Sequence, residues 1–450
     1  MTKTIRLKKG LDIRIKGKAE KQWLPEVAVS EVGICPDDFI GLVPKPLVKE
    51  GEKVKAGSPL FYHKDFPQIV IASPVSGILK EIKRGAKRKI EAFVIESDDI
   101  LTYDDTFVKE SFESYTSAQW KEFFLKSGLW AYIRQRPFNI VADPNALPQA
   151  IFISSFDTAP LAPDLEFILS DDQRYLQIAI DTLKKLVDVP VYVGLKEGMP
   201  SVFENINNIE IFYFSGPHPA GNVGVQIHHI RPINKGEVVW VIRPEDLVVI
   251  GKYVVEKRYD VRRTIIMAGS QLKQRGYVKT IQGAKLSQII DKSLLEPTES
   301  RFISGNVLTG SNVGFDGYLG FYDRMISVIP EGKYYEFIGW AMPGFKKYSV
   351  SRTFFSWLMP KKEYVLDTNY HGGERAFVMT GQYEKVVPMD ILPQQLVKAA
   401  IIKDIDLMEK LGIYEVVEED LALCEFVCTS KIEVQKIIRE ALDYIRSEMS

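Results

Sequence analysis

The sequence predicts a multidomain chain that combines α/β and α+β units. Three observations carry that prediction. Short strand candidates punctuated by Gly and Pro fill residues 44–85, strand and helix patterns alternate from residue 116 to about 256, and helical periodicity takes over from Met389. At 450 residues there is room for about three or four domains. A hydrophobic content of 46% and a charged content of 26% are ordinary for a folded soluble protein.

Residues 1–105 form the first unit. PLVKEGEKVKAGSPLF places Gly51 and Gly57 at turns, and IVIASPVSGILKEIKRG places a turn at Pro74 and Gly77. These paired turn-and-strand repeats resemble the biotinyl/lipoyl barrel-sandwich hybrid. Carriers of that fold place a modified lysine at a hairpin tip. Here the carrier position falls near Phe66, and Lys64 lacks the usual Asp-Lys-Ala or Met-Lys-Met frame. The expectation is the fold without a carrier lysine, with Lys64 a solvated turn residue.

Residues 106–256 predict a Rossmann-like α/β domain. TSAQWKEFFLKSG is a helix capped by Thr116 or Ser117 and closed by Gly128. Strand candidates at Ala150–Ser154, Val189–Val193 and Ile209–Phe214 surround a helix over Asp171–Val187, and VVWVIRPEDLVVIG adds a strand, a turn and a further element. Strand–helix–strand alternation implies a parallel sheet covered by helices.

Residues 257–332 are strand-rich with one short helix, KLSQIIDKSLL, and resemble the soluble-ligand-binding β-grasp domain. Residues 333–450 predict a β-rich connector, aromatic and strand-like over 333–366, then a helical domain. Cys424-Glu-Phe-Val-Cys428-Thr429 looks like the end of a C-x₂-C-x₂-C-x₃-C-P cluster run, with Thr where Pro would stand. Two thiols cannot complete a cluster within one chain, so this unit is expected to be a degenerate ferredoxin-like domain whose cysteines are core residues. No second pair or nearby His offers four zinc ligands.

Charge excludes some functions. Lys+Arg 58 against Asp+Glu 59 gives net −1, and no global field draws the chain to nucleic acid or membrane. The distribution is uneven: residues 1–22 hold eight Lys/Arg and two acids, and residues 401–450 hold twelve acids and six basic residues. Such runs are normally solvated faces, although a basic front could also meet acidic loops or an anionic leaflet. No apolar run approaches the roughly 18–20 residues of a membrane span, and MTKTIRLKKG lacks the apolar core of a signal peptide. Three cysteines do not make a disulfide framework. The expectation is a cytoplasmic chain that meets the membrane only through partners.

The densest chemistry lies at Gly-Pro-His-Pro-Ala-Gly-Asn-Val-Gly-Val-Gln-Ile-His-His-Ile, residues 216–230, with three of the chain's five histidines. It follows the apolar strand Ile211–Phe214, a common place for a ligand in an α/β sheet. A second segment, Ser127-Gly-Leu-Trp-Ala-Tyr-Ile-Arg-Gln-Arg-Pro-Phe138, holds Trp130, Arg134, Arg136 and Phe138. There is no phosphate-loop, H-E-x-x-H or G-x-S-x-G motif.

GPHPAG, DTAPLA, RFISGNVLTG, YSVSRTFFS, GGERAFV and the DILPQQL to EEDLALCEFVC stretch resemble, across essentially the whole chain, the A subunit (NqrA) of the Na⁺-translocating NADH:quinone oxidoreductases. That family is related to the C subunit of Rnf complexes and to the flavoprotein subunit of respiratory complex I. In those relatives the loop matching 127–138 is glycine-rich and cradles FMN phosphate. Here Tyr132, Arg134, Gln135 and Arg136 fill it, so neither tightly bound FMN nor an NADH site is expected. The resemblance implies a peripheral subunit on the cytoplasmic side of a bacterial inner membrane, inactive in isolation, with no flavin, iron–sulfur or metal site of its own. Its partners would be the other members of the complex, chiefly the membrane-embedded B subunit. The complex couples NADH oxidation and quinone reduction to Na⁺ export. If quinone binds this chain, the expected donors are His218 and His228 and the expected wall is Trp130, Arg134, Arg136 and Phe138. The alternative is a structural docking subunit with quinone bound elsewhere.

Overall fold

The computed structural model describes residues 3–107, 112, 114–334, 336–337 and 339–449. Near the N-terminus, two antiparallel sheets face each other. One runs in the order Glu31–Ile34, Ile90–Ser97, Gly77–Arg84, Lys53–Val54, and the other in the order Pro44–Pro46, Pro59–His63, Val70–Ala72. Phe61 and Phe93 stack at 4.6 Å between them, the interdigitation that a sandwich core requires. Lys64 sits exposed at the turn after Pro59–His63, its backbone N–H held by the Val43 carbonyl at 2.9 Å.

The α/β unit is built on a seven-stranded sheet in the order Lys3–Arg6, Glu210–Ser215, Val191–Lys196, Ile151–Ser154, Val239–Val241, Arg134–Arg136, Ile140–Val141. The first five strands are parallel and the last two antiparallel. Lys3–Arg6 departs from the sequence expectation, which placed it in the first unit. It extends the parallel edge, pairing Thr4 with Tyr213 and Ile5 with Phe214. An edge strand of this sheet would otherwise present unpaired N–H and C=O groups.

Helices Ser117–Lys126, Gln173–Leu186, Val223–Ile230 and Pro244–Glu256 accompany the sheet. Thr116 caps the first in a full capping box with Gln119. Pro244 occupies the first turn of the last, where its missing N–H costs nothing. Gly251 brings that helix against Gln173–Leu186 so closely that an added Cβ would lie 2.1 Å from the Tyr175 carbonyl oxygen.

A five-stranded mixed sheet follows, in the order Gly276–Ile281, Arg262–Ala268, Met325–Pro330, Ser300–Ser304, Ser311–Asn312, with the short helix Leu286–Ile289. It clasps the N-terminal unit through Glu31, which accepts from Lys80 Nζ and Lys285 Nζ at 2.9 Å each and from Tyr318 Oη at 3.0 Å.

The expected β-rich connector is not seen. Among the described residues of 333–366 there is no strand, only the 3₁₀ turns Gly339–Ala341 and Phe355–Leu358 and a single bridge from Tyr364 to Ile15. Pro343, Gly344 and Pro360 interrupt the run, and a strand needs a partner along its length. Beyond it, helices Tyr383–Val386, Pro393–Ile401, Ile405–Lys410, Ala422–Val427 and Val434–Met449 enclose a core that includes Met408, Leu421, Ile438 and Leu442. Cys424 and Cys428 are buried in that core, and burial pushes the Cys424 thiol well above its ordinary pKa. The helix stops at Val427, so Cys428 is its C-cap residue and not one turn further along the same helix, and its sulfur accepts from the Ile432 N–H at 3.5 Å.

Candidate functional site

The parallel strands set the position of the site. From Ile151–Ser154 the chain steps outward through Val191–Lys196 to Glu210–Ser215, then returns to the opposite side of Ile151–Ser154 as Val239–Val241. Strand order therefore reverses between Ile151–Ser154 and Val239–Val241, and a crevice opens beyond their C-terminal ends. The residues after those strands, Phe156–Thr158 and Arg243–Pro244, and the loop after Glu210–Ser215 form its rim.

Glycines allow that loop to close on its neighbours. A Cβ at Gly221 would meet the Thr158 nitrogen at 2.8 Å, and one at Gly10, which has φ +137°, would meet the His218 carbonyl oxygen at 2.3 Å. His218 is consequently fixed from three sides. Its N–H donates to Asp12 Oδ1 at 2.9 Å, its carbonyl accepts from the Leu11 N–H at 2.8 Å, and its Nδ1 lies 3.1 Å from Thr158 Oγ1. Burial lowers its pKa below the ordinary histidine value, against the pull of Asp157, Asp12 and Glu419, so the ring is neutral near pH 7.

His218 faces a cavity of about 110 Å³ that Arg134, Arg243, Arg324, Asp157 and Glu419 also line. Arg134 and Arg243 both lie against the Tyr322 ring, at 5.0 and 5.8 Å. Burial, reinforced by Arg243, brings Arg134 down to about 10. The space has room for several waters or a small polar group. Its donors, a neutral imidazole and guanidinium groups, can hydrogen-bond a carbonyl oxygen or hold an anion.

Of the six residues singled out in the sequence, the structure brings only His218 and Arg134 to this cavity. Trp130 lies in the core, its Nε1 donating to the Ala142 carbonyl at 2.7 Å and its ring edge-on to Trp240 at 5.4 Å. Arg136 is buried at the junction with the helical unit, donating from Nη1 to Asp420 Oδ2 at 2.8 Å and from Nη2 to Glu419 Oε1 at 2.5 Å. Burial opposes its charge, but Asp420 and Glu419 more than offset this and keep its pKa above the ordinary arginine value. Phe138 meets Tyr414 edge-on at 6.3 Å, and its carbonyl accepts from Arg439 at 2.8 Å.

His228 spans the same junction. Its Nε2 accepts from the Asp390 N–H at 2.9 Å, so Nδ1 carries the proton that it donates to Glu415 at 2.6 Å. Both nitrogens are thereby engaged.

Sequence reasoning missed Arg243, Arg324 and the acidic pair Glu419–Asp420. Arg243-Pro244-Glu245 after an apolar strand carried a usable cue, the Pro and acid that open a helix. Glu418-Glu419-Asp420 carried none beyond negative charge.

Three family models match: an N-terminal barrel-sandwich hybrid domain of NqrA over residues 5–98, a second alpha/beta domain of NqrA over 115–259, and the NQRA C-terminal domain over 264–314. The chain is 38% identical over 447 residues to the A subunit of the Na(+)-translocating NADH-quinone reductase of Rhodopirellula baltica, covering 98% of each. It is 37% identical to that of Neisseria meningitidis serogroup B and 38% identical to that of Pasteurella multocida, in both cases covering 99% of this chain and 100% of the relative. Among solved structures, an NAD+-reducing [NiFe]-hydrogenase in the air-oxidized state matches with a TM-score of 0.36 and 12% identity, over 68% of this chain and 56% of that one.

Proposed function

The chain belongs to the NqrA family, the A subunits of the Na(+)-translocating NADH-quinone reductases, and from that membership we propose that it is the peripheral docking subunit of the complex, on the cytoplasmic side, with no redox centre of its own. The observation that carries the reading is Arg136. It ends the strand Arg134–Arg136, in the stretch whose counterpart in the flavoprotein relatives is expected to hold a phosphate, and it spends its guanidinium on Asp420 and Glu419 of the helical unit. A side chain committed to joining two units is not free to hold a ligand. His228 and Phe138 serve the same joint. Among the described residues no helix is long and apolar enough to cross a membrane; in this reading the chain docks on the membrane-embedded members of the complex, chiefly the B subunit. The test is to assay metal and flavin in the purified chain and to follow its retention on the membrane part of the complex. Arg136→Ala should weaken retention while leaving the flavin content of the remaining subunits unchanged. Flavin absorbance or stoichiometric iron in the purified chain would overturn the reading.

A second reading, that this chain also contacts quinone, is favoured by one observation. His218 and Arg134 share a cavity at the reversal of strand order, with donors suited to a quinone carbonyl. Saturable quenching of tryptophan fluorescence by a soluble short-chain quinone, weakened by His218→Ala, supports it. No quenching at concentrations that saturate the whole complex moves the site to the membrane subunits.

A further inference from the structure

Residues 339–362, GWAMPGFKKYSVSRTFFSWLMPKK, contain five Lys/Arg and no Asp or Glu, in a chain whose overall charge is nearly balanced. The same stretch exposes large apolar side chains. Phe355, Trp357 and Leu358 leave 53%, 48% and 58% of their surface uncovered, and Met342 and Phe345 are exposed beside them. An exposed apolar group of this size marks a contact site on a folded protein.

The stretch is held in place, not loose. Phe355 N–H donates to the Pro343 carbonyl at 2.9 Å, Lys362 Nζ to the Phe345 carbonyl at 2.7 Å, and Tyr348 packs on Phe426 of the helical unit at 5.8 Å. Arg352 lies over the Trp357 ring at 5.9 Å, so cation and aromatic group are presented together. Tyr364 then ties the stretch to the basic N-terminal segment: its N–H donates to the Arg14 carbonyl at 2.9 Å and its carbonyl accepts from the Lys16 N–H at 2.8 Å. Arg14, Lys16 and Lys18 are exposed, which brings a second cationic run beside the first although they are more than 300 residues apart in sequence.

We propose that this surface rests on a bilayer leaflet bearing anionic headgroups, with the Phe355, Trp357 and Leu358 side chains entering the interface and the exposed Lys346, Arg352 and Lys361, joined by Arg14, Lys16 and Lys18, facing lipid phosphates. Aromatic and apolar groups surrounded by cations are the combination that binds an anionic interface, since the leaflet's negative potential attracts the basic groups and the headgroup region accepts amphipathic rings. Acids lie only at the margins of the stretch: Glu363 follows it directly, and Glu336, just before it, pairs with Lys347 at 2.5 Å. The inference goes beyond membership of the complex, because it concerns lipid and not a protein partner.

The test is co-sedimentation of the purified full-length chain with vesicles of phosphatidylglycerol in phosphatidylcholine, and with phosphatidylcholine alone. Binding is expected to the first and not the second, falling as salt rises. Combining Phe355→Ser, Trp357→Ser and Leu358→Ser should weaken binding roughly tenfold or more, and Arg352→Glu with Lys361→Glu should do the same. All five side chains are exposed, and circular dichroism should confirm an unchanged fold. Absence of binding to the anionic vesicles, or binding indifferent to the apolar triple variant, overturns the proposal. So does a triple variant that binds vesicles normally yet fails to join the complex, because that result makes the surface a protein contact.

Discussion

Arg136 and Asp420 lie 284 positions apart in sequence, yet Nη1 of the one donates to Oδ2 of the other at 2.8 Å, with both side chains almost wholly withdrawn from solvent. Two buried charges of opposite sign, shared between the antiparallel end of an α/β sheet and a helical unit, make the relative placement of those units an electrostatic matter. Removing one partner leaves the other uncompensated, which is far costlier than losing a surface pair.

Arg136→Ala should therefore destabilise the joint by about 3–5 kcal/mol. Urea unfolding followed by tryptophan emission, with limited proteolysis to report release of the helical unit, measures it. Adding Asp420→Ala should recover part of the loss, because the second buried charge is then gone as well. An additive double variant would show that the two residues act independently.

A smaller steric device holds the helices behind the sheet. Gly251→Ala would set a Cβ 2.1 Å from the Tyr175 carbonyl oxygen, which belongs to helix backbone and cannot swing aside. Overpacking of this kind costs about 1–3 kcal/mol, even though Ala favours a helix more than Gly does. A lowered unfolding midpoint is expected. A raised one would mean that the two helices separate without cost.

How much of this was legible in the sequence differs by element. Glu210–Ser215 and Val191–Lys196 were within reach, since apolar β-rich runs bounded by turns announce buried parallel strands. Lys3–Arg6 was not, because four residues among basic neighbours carry no pattern and the partner strand is about 200 residues away. Residues 333–366 misled in the opposite sense: aromatic residues favour strands, but that preference expresses fit to a half-buried sheet surface, and among the described residues no sheet receives them. At the site, His218 stood out because glycine and proline around a histidine announce a shaped loop. Arg136 looked like a ligand wall because its partners, two acids in an otherwise unremarkable acidic run, could not be placed beside it from sequence.

Acid should loosen the clasp between the N-terminal unit and the five-stranded sheet. Burial alone would raise the pKa of Glu31, but hydrogen bonds from Lys285, Lys80 and Tyr318 outweigh it and bring the group from 4.5 to about 2. A carboxylate depressed in the folded state adds stability that is fully present above its unfolded value and is lost as pH falls through the folded one. The window is therefore about pH 4.5 down to 2. Thermal unfolding should show a loss across that window that is largely absent in Glu31→Gln, and an identical profile in both proteins would refute the assignment.

Asp38, at the same joint, should act with the opposite sign. Its Oδ2 accepts the Phe321 N–H at 2.8 Å, which favours the charged form, but burial dominates, Asp323 and Asp37 add to it, and the group rises from 3.8 to about 7. The folded state then keeps a proton that the unfolded chain has already released. Stability from this group declines as pH climbs from about 4 to 7 and levels off above, a loss on the order of 4 kcal/mol if the carboxyl ionises in place. Asp38→Asn preserves an oxygen acceptor for Phe321 and removes the ionisation. The variant should gain thermal stability over the parent at pH 8 and little at pH 5. Equal differences at the two pH values would mean that Asp38 is not the group that titrates. Because Glu31 adds stability as pH rises from about 2 to 4.5, and Asp38 withdraws it as pH rises from about 4 to 7, the joint should be firmest near pH 4 to 4.5 and loosen steadily from there towards pH 7.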